Sequence, residues 1–508
     1  MRHIELEYTG SIRLKRNFPI NFLLTFLFTA LGIAVMGYHP GLEDDGIYLT
    51  AVLKRLHPAL YPHDADFFRF QVQATLFDNC IAGFVRWTGV PVAYAALFGQ
   101  IVSIAAIVCA CWLITRRLFN EARAQWAGVA MVTAMFTLPV SGTGLYLVDQ
   151  HLHPRTMATA LILFAVTRIL AKKKCQAALL LLAAFVLHPI MAAMGISFCF
   201  CLSLALREIT PVWPRSLRWN RRTSLAFVFI PLGWVFEPPN PIWRQAVEMH
   251  NSLCLYHWAW YEWLGAVAPL CLFWLLWRFA RKQGQQPLAR FALAVFAFGG
   301  FQLALAMVLL AIPALIRIAP FQPMRFLHLV YFFMTLVAGC LLGKYLLKAH
   351  VWRWAVYLAV INAGMFLSQR MLFSSSQHLE WPGRPPANPW LQTFAWIRQN
   401  TPADAYFALD PEYLAAPDED YHSFRALAER SQLADGIKDP AVVAQTPELA
   451  SKWAWQVRAE EGWSRFQLAD FERLKAEFGV DWVVVSYPQA NGLDCRWHNE
   501  SLAVCRIQ

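Results

Sequence analysis

Charge is scarce in this chain. Only 15% of its 508 residues are Asp, Glu, Lys or Arg while 57% are hydrophobic, a balance that excludes an ordinary soluble protein of this length. Cysteine pairs at metal-ligand spacing are also missing. The eleven Cys are scattered, and most sit inside apolar runs (Cys109, Cys111, Cys199, Cys201, Cys271, Cys340), where they read as small buried apolar residues. Cys495 and Cys505 differ, because they flank a short polar segment and suit a hairpin disulfide if that end lies in an oxidising compartment. The polar C-terminal stretch has no glycine-rich phosphate loop, nucleophile elbow or zinc spacing. The net charge of +11 suggests nucleic acid only until its distribution is considered. Residues 374–508 hold 19 acids and 12 bases, leaving 32 bases and 14 acids on the remainder. A basic apolar part with an acidic tail fits loops retained in the cytoplasm better than a DNA surface, so no nucleic-acid partner is expected.

What the chain does have is long apolar runs. A bilayer core needs roughly 20 apolar residues per helix, and about eleven runs qualify, centred near residues 28, 102, 132, 163, 181, 197, 230, 270, 302, 336 and 362. The expected fold is therefore an α-helical polytopic membrane protein with about 11 transmembrane helices and a small C-terminal α/β soluble domain. The membrane domain covers 1–373, a Pro-rich linker 374–389 and the soluble domain 390–508. The first run, Phe18 to Tyr38, follows Arg13, Lys15 and Arg16 as a signal peptide would, but it is too long and lacks a small-residue cleavage site, so it is expected to be a retained span.

Alternate connections carry the bases: Arg116, Arg117 and Arg123; Lys172 to Lys174; Arg207, Arg215, Arg218, Arg221 and Arg222; Arg278, Arg281 and Lys282; Lys344 and Lys348. The positive-inside rule places these and the N-terminus in the cytoplasm. The intervening loops and the tail then lie outside. This requires the apolar stretch from Gln176 to Leu206 to fold back at "LHPIM", where Pro189 breaks the helix.

On that topology the outer face gathers the chemistry. Glu43, Asp44 and Asp45 open a long first outer loop (39–88) whose apolar pieces, "IYLTAVLKRL" and "FFRFQVQATLFDNCIAGFVRW", are expected to lie along the interface. "YLVDQHLHPRT" supplies Asp149, His151, His153 and Arg155; His188 sits at the next tip; further on come Glu237, Glu248, His250, His257 and Glu262, then Arg317, Gln322 and Arg325. The bland alternatives are a solvated loop that caps the helix starting near Ile47, an interfacial turn with Arg155 snorkelling, a helix break with a hydrogen-bonded His188, and Arg317 and Arg325 anchoring to lipid phosphate. The stripe "LYHWAWYEW" reads as an interfacial aromatic belt.

An acidic motif just after the first span, interfacial helices in the first loop, a second acid after the third span and a soluble outer tail together resemble the C-type glycosyltransferase superfamily, in an uncharacterised bacterial branch. The resemblance covers the architecture of the whole chain and is specific over Glu43, Asp44, Asp45 and Asp149. It implies a polyprenyl-phosphate-linked sugar as donor, with these four residues as catalytic acids. Asp45 and Asp149 would be the ligands if a divalent cation, Mg or Mn, takes part. Arg325, Arg317, Arg155, His151, His153 and His188 are the residues expected to receive the donor's phosphate. The implied location is a bacterial inner membrane, with a lipid, glycan or protein acceptor on the outer side. A second oxygen-rich pair is absent from "DQH", and no "WWDYG" signature occurs in the tail. The competing possibilities are a transporter or flippase for lipid-linked saccharides, which would be expected to bury charge at mid-membrane, and an assembly factor.

In the tail, "WLQTFAWIRQN" and "SRFQLADFERLKAEFG" have helical apolar spacing, the second closed by Gly479, while "AYFAL" and "DWVVVSY" read as buried strands. Arg425, Arg430 and Lys438 are its possible anion contacts.

Overall fold

The computed structural model of the chain describes residues 2–207, 238–488 and 492–508. The expected span near residue 230, the bases Arg215, Arg218, Arg221 and Arg222, and Glu237 lie outside the described residues. Helix α1 (Arg2–Met36) leads into three short helices of the first loop, α2 (Asp45–Leu56), α3 (Asp66–Ala74) and α4 (Phe77–Thr88). Then come α5 (Val92–Leu118), α6 (Ala122–Ala134), a hairpin of β1 (Pro139–Val140) and β2 (Leu145–Tyr146), α7 (Pro154–Leu170), α8 (Lys174–Leu187) and α9 (Pro189–Ala205). The second half holds α10 (Pro241–Glu248), α11 (Trp260–Lys282), α12 (Gln286–Ala311), α13 (Phe326–Leu342) and α14 (Val351–Leu372).

Six helical stretches are long and apolar enough to cross a membrane: Pro19–Met36, Val92–Leu118, Trp260–Lys282, Gln286–Leu310, Pro323–Leu347 and Val351–Leu372. The expected count of about eleven is not reached by full-length helices among the described residues. Four of the apolar runs form shorter helices, α6 to α9, of 13, 17, 14 and 17 residues. The reason is local: the run through α6 gives way to the β1–β2 hairpin, and the run from 174 to 205 breaks at His188. Helix α13 is the buried centre, whereas α14 is exposed along its length. Phe22, Leu23 and Phe26 of α1, Leu272 and Leu275 of α11, and Val356, Val360 and Leu367 of α14 are exposed. Water would penalise such continuous apolar faces; hydrocarbon satisfies them.

The basic clusters and the first loop sit at opposite ends of the helices. Lys344, after α13, reaches Glu121, before α6, at 3.9 Å. At the other end the Leu76 N–H of the first loop donates to the Val186 carbonyl at 3.0 Å, close to the α8–α9 turn. Pro189 occupies the first turn of α9, and His188 Nδ1 accepts the Met191 N–H at 3.3 Å, capping the helix that the proline begins.

The tail folds as an α/β unit: α15 (Pro389–Asn400), β3 (Tyr406–Ala408), α16 (Phe424–Ala428), β4 (Ser431–Gln432), α17 (Asp439–Gln445), α18 (Ala450–Ala459), α19 (Leu468–Phe478), β5 (Trp482–Ser486), β6 (Asp494–His498) and β7 (Leu502–Arg506). The sheet order is β4-β3-β5-β7-β6, parallel on the β4-β3-β5 side and antiparallel on the other. The left-handed Gly479 ends α19, and Cys495 and Cys505 are joined across β6 and β7.

Residues 374–389 are docked, not slack. Ser375 and Ser376 N–H groups donate to Asp420, and the Glu380 N–H donates to the Tyr38 carbonyl at the end of α1. Arg425 ties the tail to the first loop. Its guanidinium donates to Asp64 at 2.7 Å and to both oxygens of Asp439 at 2.7 and 2.9 Å, all three side chains being buried.

Candidate active site

The acidic motif is shaped by its glycines. Gly41 has φ +85°, which an L side chain rarely adopts, and a Cβ there would lie 2.5 Å from Leu427. This turn aims the Gly41 N–H at Asp45 Oδ2, 2.8 Å away. Asp45 is thereby drawn inward, buried, with His151 Nε2 3.9 Å from its other oxygen. Glu43, also at positive φ, and Asp44 point the other way. Both line a cavity of about 540 Å³ whose walls include Tyr48, Arg155, His188, His250, Arg317, Arg325 and Lys438. Asp44 precedes α2 but makes no side-chain capping bond, so its carboxylate is committed to the cavity and not to the helix end. The α2 N-terminus still favours its charge.

Asp44 has three partners. Lys438 Nζ pairs with Oδ1. His153 Nε2 lies 3.2 Å from Oδ2 and an Arg155 NH group 3.9 Å from it. The His153 ring has a determined role, because Nδ1 accepts the Arg155 backbone N–H at 2.9 Å. The neutral ring therefore carries its proton on Nε2 and donates it to Asp44. Burial pushes the His153 pKa down, which keeps the ring neutral. Burial alone would raise the Asp44 pKa; Lys438, the His153 hydrogen bond and Arg155 outweigh it and hold the carboxyl well below its usual range. Glu43 moves the other way, raised by burial against the pull of Lys438.

Asp149 is a brace for this arrangement. Arg155 grips it through two nitrogens and Thr156 Oγ1 donates to it at 2.9 Å, while Gln100 holds its backbone carbonyl at 2.6 Å. Burial would raise its pKa, but Arg155 lowers it below the ordinary value. Donors already occupy both Asp149 oxygens, whereas the Gly41 N–H occupies one of the two Asp45 oxygens.

Arg325 and His188 line the same cavity 3.4 Å apart, and the His188 ring lies 6.3 Å from the His153 ring that meets Asp44. His188 Nδ1 is used by Met191, so the neutral ring presents Nε2–H toward a guanidinium N–H. Two donors confronting each other lack an acceptor, and Arg325 Nε is buried with no hydrogen-bond partner among the described residues. An anion placed between them would accept from both the Arg325 guanidinium and His188 Nε2. Arg317 lines the same cavity. Apolar Phe70, Ile190, Leu253 and Phe321 complete the wall, with Phe70 and Phe321 exposed. Of the ten residues singled out in the sequence, Glu43, Asp44, Arg155, His188, Arg317 and Arg325 line the cavity. His153 and Asp149 stand directly behind it, and Asp45 and His151 form a second buried pair beneath. Lys438, in the sequence only a possible anion contact of the tail, is brought against Asp44, and its one local signal is its place just before the Asp439-Pro440 helix start.

Asp45 allows a stability test that separates it from its neighbours. Burial raises its pKa to about 6 against the pull of His151, above the ~3.9 of an unfolded Asp. Ionising it in the folded state is thus a cost that is absent below pH ~4 and grows as pH rises through 6. Asp45→Asn keeps an oxygen for the Gly41 N–H, so at pH 8 it is expected to stabilise the protein by about 2–3 kcal/mol. At pH 4 little change is expected. Denaturation in detergent at both pH values measures this, and equal effects at the two would contradict it.

No protein-family model matches the chain, and no curated protein matches it. Among solved structures, an Archaeoglobus fulgidus oligosaccharyltransferase crystallised with zinc and sulfate aligns with a TM-score of 0.44 and 11% identity, over 91% of this chain and 68% of that one. The archaeal oligosaccharyltransferase AglB from the same organism, complexed with an inhibitory peptide and a dolichol-phosphate, aligns with a TM-score of 0.37 and 12% identity, over 93% and 70%. Both likenesses are too distant to carry a functional argument, which rests on the cavity instead.

Proposed function

We propose that this chain is a membrane glycosyltransferase that takes a sugar from a polyprenyl-phosphate-linked donor and transfers it to a lipid, glycan or protein acceptor. The proposed setting is a bacterial inner membrane, with the cavity and tail on the outer side and the N-terminus in the cytoplasm. The observation that carries the proposal is the cavity itself. It sets Glu43 and Asp44 beside Lys438, with the Arg325 and His188 donor pair lining the same chamber and exposed apolar residues on its wall.

The chemistry follows from these positions. The lipid phosphate lies against Arg325, His188 and Lys438, with Arg317 at the edge, and its prenyl chain leaves past Phe70 and Phe321. Asp44 paired with Lys438 is a weak base. A phosphate that attracts the same ammonium loosens that pair, so Asp44 becomes more basic only when donor is bound. It then accepts the acceptor hydroxyl's proton as the acceptor oxygen bonds to the anomeric carbon. The bond from that carbon to the phosphate oxygen breaks, and the phosphate departs with the electron pair. Positive groups already in place stabilise the charge that develops on it. Glu43 is the second carboxylate in reach, and Asp149 orients Arg155.

Arg325→Gln and Lys438→Gln test the phosphate assignment. Each removes one charge-assisted contact, so donor KM is expected to rise about 10- to 100-fold, measured by release of free polyprenyl phosphate from the lipid-linked sugar that accumulates in a knockout strain. Unchanged KM in both variants would contradict the assignment. Lipid movement across the bilayer without cleavage of the sugar would instead identify a transporter.

A further inference from the structure

A second cluster lies outside this cavity, where the end of α1, the docked 374–389 segment and the tail meet. His39 Nδ1 is 2.7 Å from Glu380 Oε1, and His422 Nε2 is 3.1 and 3.2 Å from the two Glu380 oxygens. Among the described residues this is the one group of three or more His, Cys, Asp or Glu side chains whose ligand atoms converge, all within 4.8 Å of one another. Both imidazoles are fully buried, and the Glu380 side chain keeps 12% exposure.

The ring of His422 has a definite orientation. Nδ1 faces the Glu419 carbonyl at 3.1 Å and must donate to it. In the neutral ring Nε2 then bears a lone pair, directed at two carboxylate oxygens that are themselves acceptors. Something positive has to lie between them. The backbone brings the three ligands together with little freedom. Tyr38 and His378, Glu380 and Tyr38, Ser423 and Gly41, and Glu43 and Tyr421 are joined by backbone hydrogen bonds of 2.7 to 3.0 Å. Gly37, at φ +85°, has the His378 carbonyl 2.8 Å from where a Cβ would stand.

We infer that His39, Glu380 and His422 form a binding site for a divalent transition metal of the zinc type. Two imidazoles and one carboxylate are an ordinary zinc donor set, which leaves a fourth position for water reached along the exposed side of Glu380. The Glu419 carbonyl fixes His422 from behind, as such outer partners do. Binding displaces the protons otherwise held on His39 Nδ1 and His422 Nε2. The ion clamps residues 37–45, which carry Glu43 and Asp44, to the tail, so it acts as a positioning centre outside the reaction itself.

Full-length protein, expressed with added ZnCl₂ and purified in detergent without chelator, is expected to retain about one zinc per chain by elemental analysis. His39→Gln, Glu380→Gln and His422→Gln are each expected to lose it, while Cys80→Ala, which removes an exposed thiol outside the cluster, keeps it. Chelation should lower the thermal midpoint of the wild type, with recovery on adding ZnCl₂, and leave His39→Gln unmoved. Because these wild-type measurements need no variant to fold, a wild type with no stoichiometric metal and no response to ZnCl₂ would overturn the inference and identify a proton-bridged His–Glu–His cluster. Zinc retained equally in all three variants would overturn it too.

Discussion

Asp44→Asn is expected to lower the transfer rate by about 10²- to 10⁴-fold, the usual contribution of a positioned general base, while leaving the protein folded. The amide keeps the shape of the side chain, and its oxygen can still accept the proton that His153 Nε2 presents at 3.2 Å. What is lost is the negative charge and the capacity to accept a proton. Lys438 loses its partner in the same change and is then free to meet the donor's phosphate. The expected signature is therefore a collapse of kcat with donor KM unchanged or lower, since the contact removed belongs to the transition state. Asp44→Asn thus acts on kcat, whereas Arg325→Gln and Lys438→Gln act on KM. If Asp44→Asn instead raised KM with little effect on kcat, Asp44 would be a binding group, and the proton would have to go to Glu43.

The second large effect is on stability. Arg425→Met is expected to destabilise the protein by about 3–5 kcal/mol, because it strands buried carboxylates that have no other cation among the described residues. Among the described residues Asp64 would keep the Gln432 N–H at 3.1 Å, and Asp439 the Asp435 N–H at 2.9 Å. The guanidinium also lies over the Phe67 ring, 5.2 Å from its centroid, so packing is lost as well as charge. Neutralising the stranded acids should restore part of the loss, and Arg425→Met combined with Asp64→Asn and Asp439→Asn is expected to be more stable than Arg425→Met alone. Chemical denaturation in detergent measures both. A surface-sized effect below about 1 kcal/mol would mean that Arg425 does not couple the two parts. Activity should fall together with stability, since Asp439 follows Lys438 and any movement of α17 moves the ammonium beside Asp44.

Which parts of this design could be seen in the sequence depends on how far apart the cooperating residues lie. The helical membrane domain was legible because burial in hydrocarbon demands long apolar runs, and "GLEDDG" was legible because acids are costly beside such a run. The division of labour within that motif was not. It depends on the Gly41 backbone, which directs Asp45 inward and leaves Glu43 and Asp44 in the cavity. His153 reads in the sequence as a phosphate contact, because nothing local reveals that Nδ1 is occupied by the cap of α7. Lys438 lies almost 400 residues from Asp44, and His39, Glu380 and His422 come from three separate segments. Metal-ligand spacing rules detect ligands that share one turn or hairpin, and these do not. The expected helix count is not confirmed for a related reason: apolar residues in α6 to α9 serve shorter helices, so run length there overstates helix length.

The most direct test of the central claim uses purified protein in lipid nanodiscs with the lipid-linked sugar that accumulates in a knockout strain. Single-turnover release of polyprenyl phosphate is followed for the wild type and for Asp44→Asn at saturating donor. Release by the wild type, with undiminished donor binding but release slowed about 10²- to 10⁴-fold in Asp44→Asn, is the expected result. Equal release by the two proteins would contradict it.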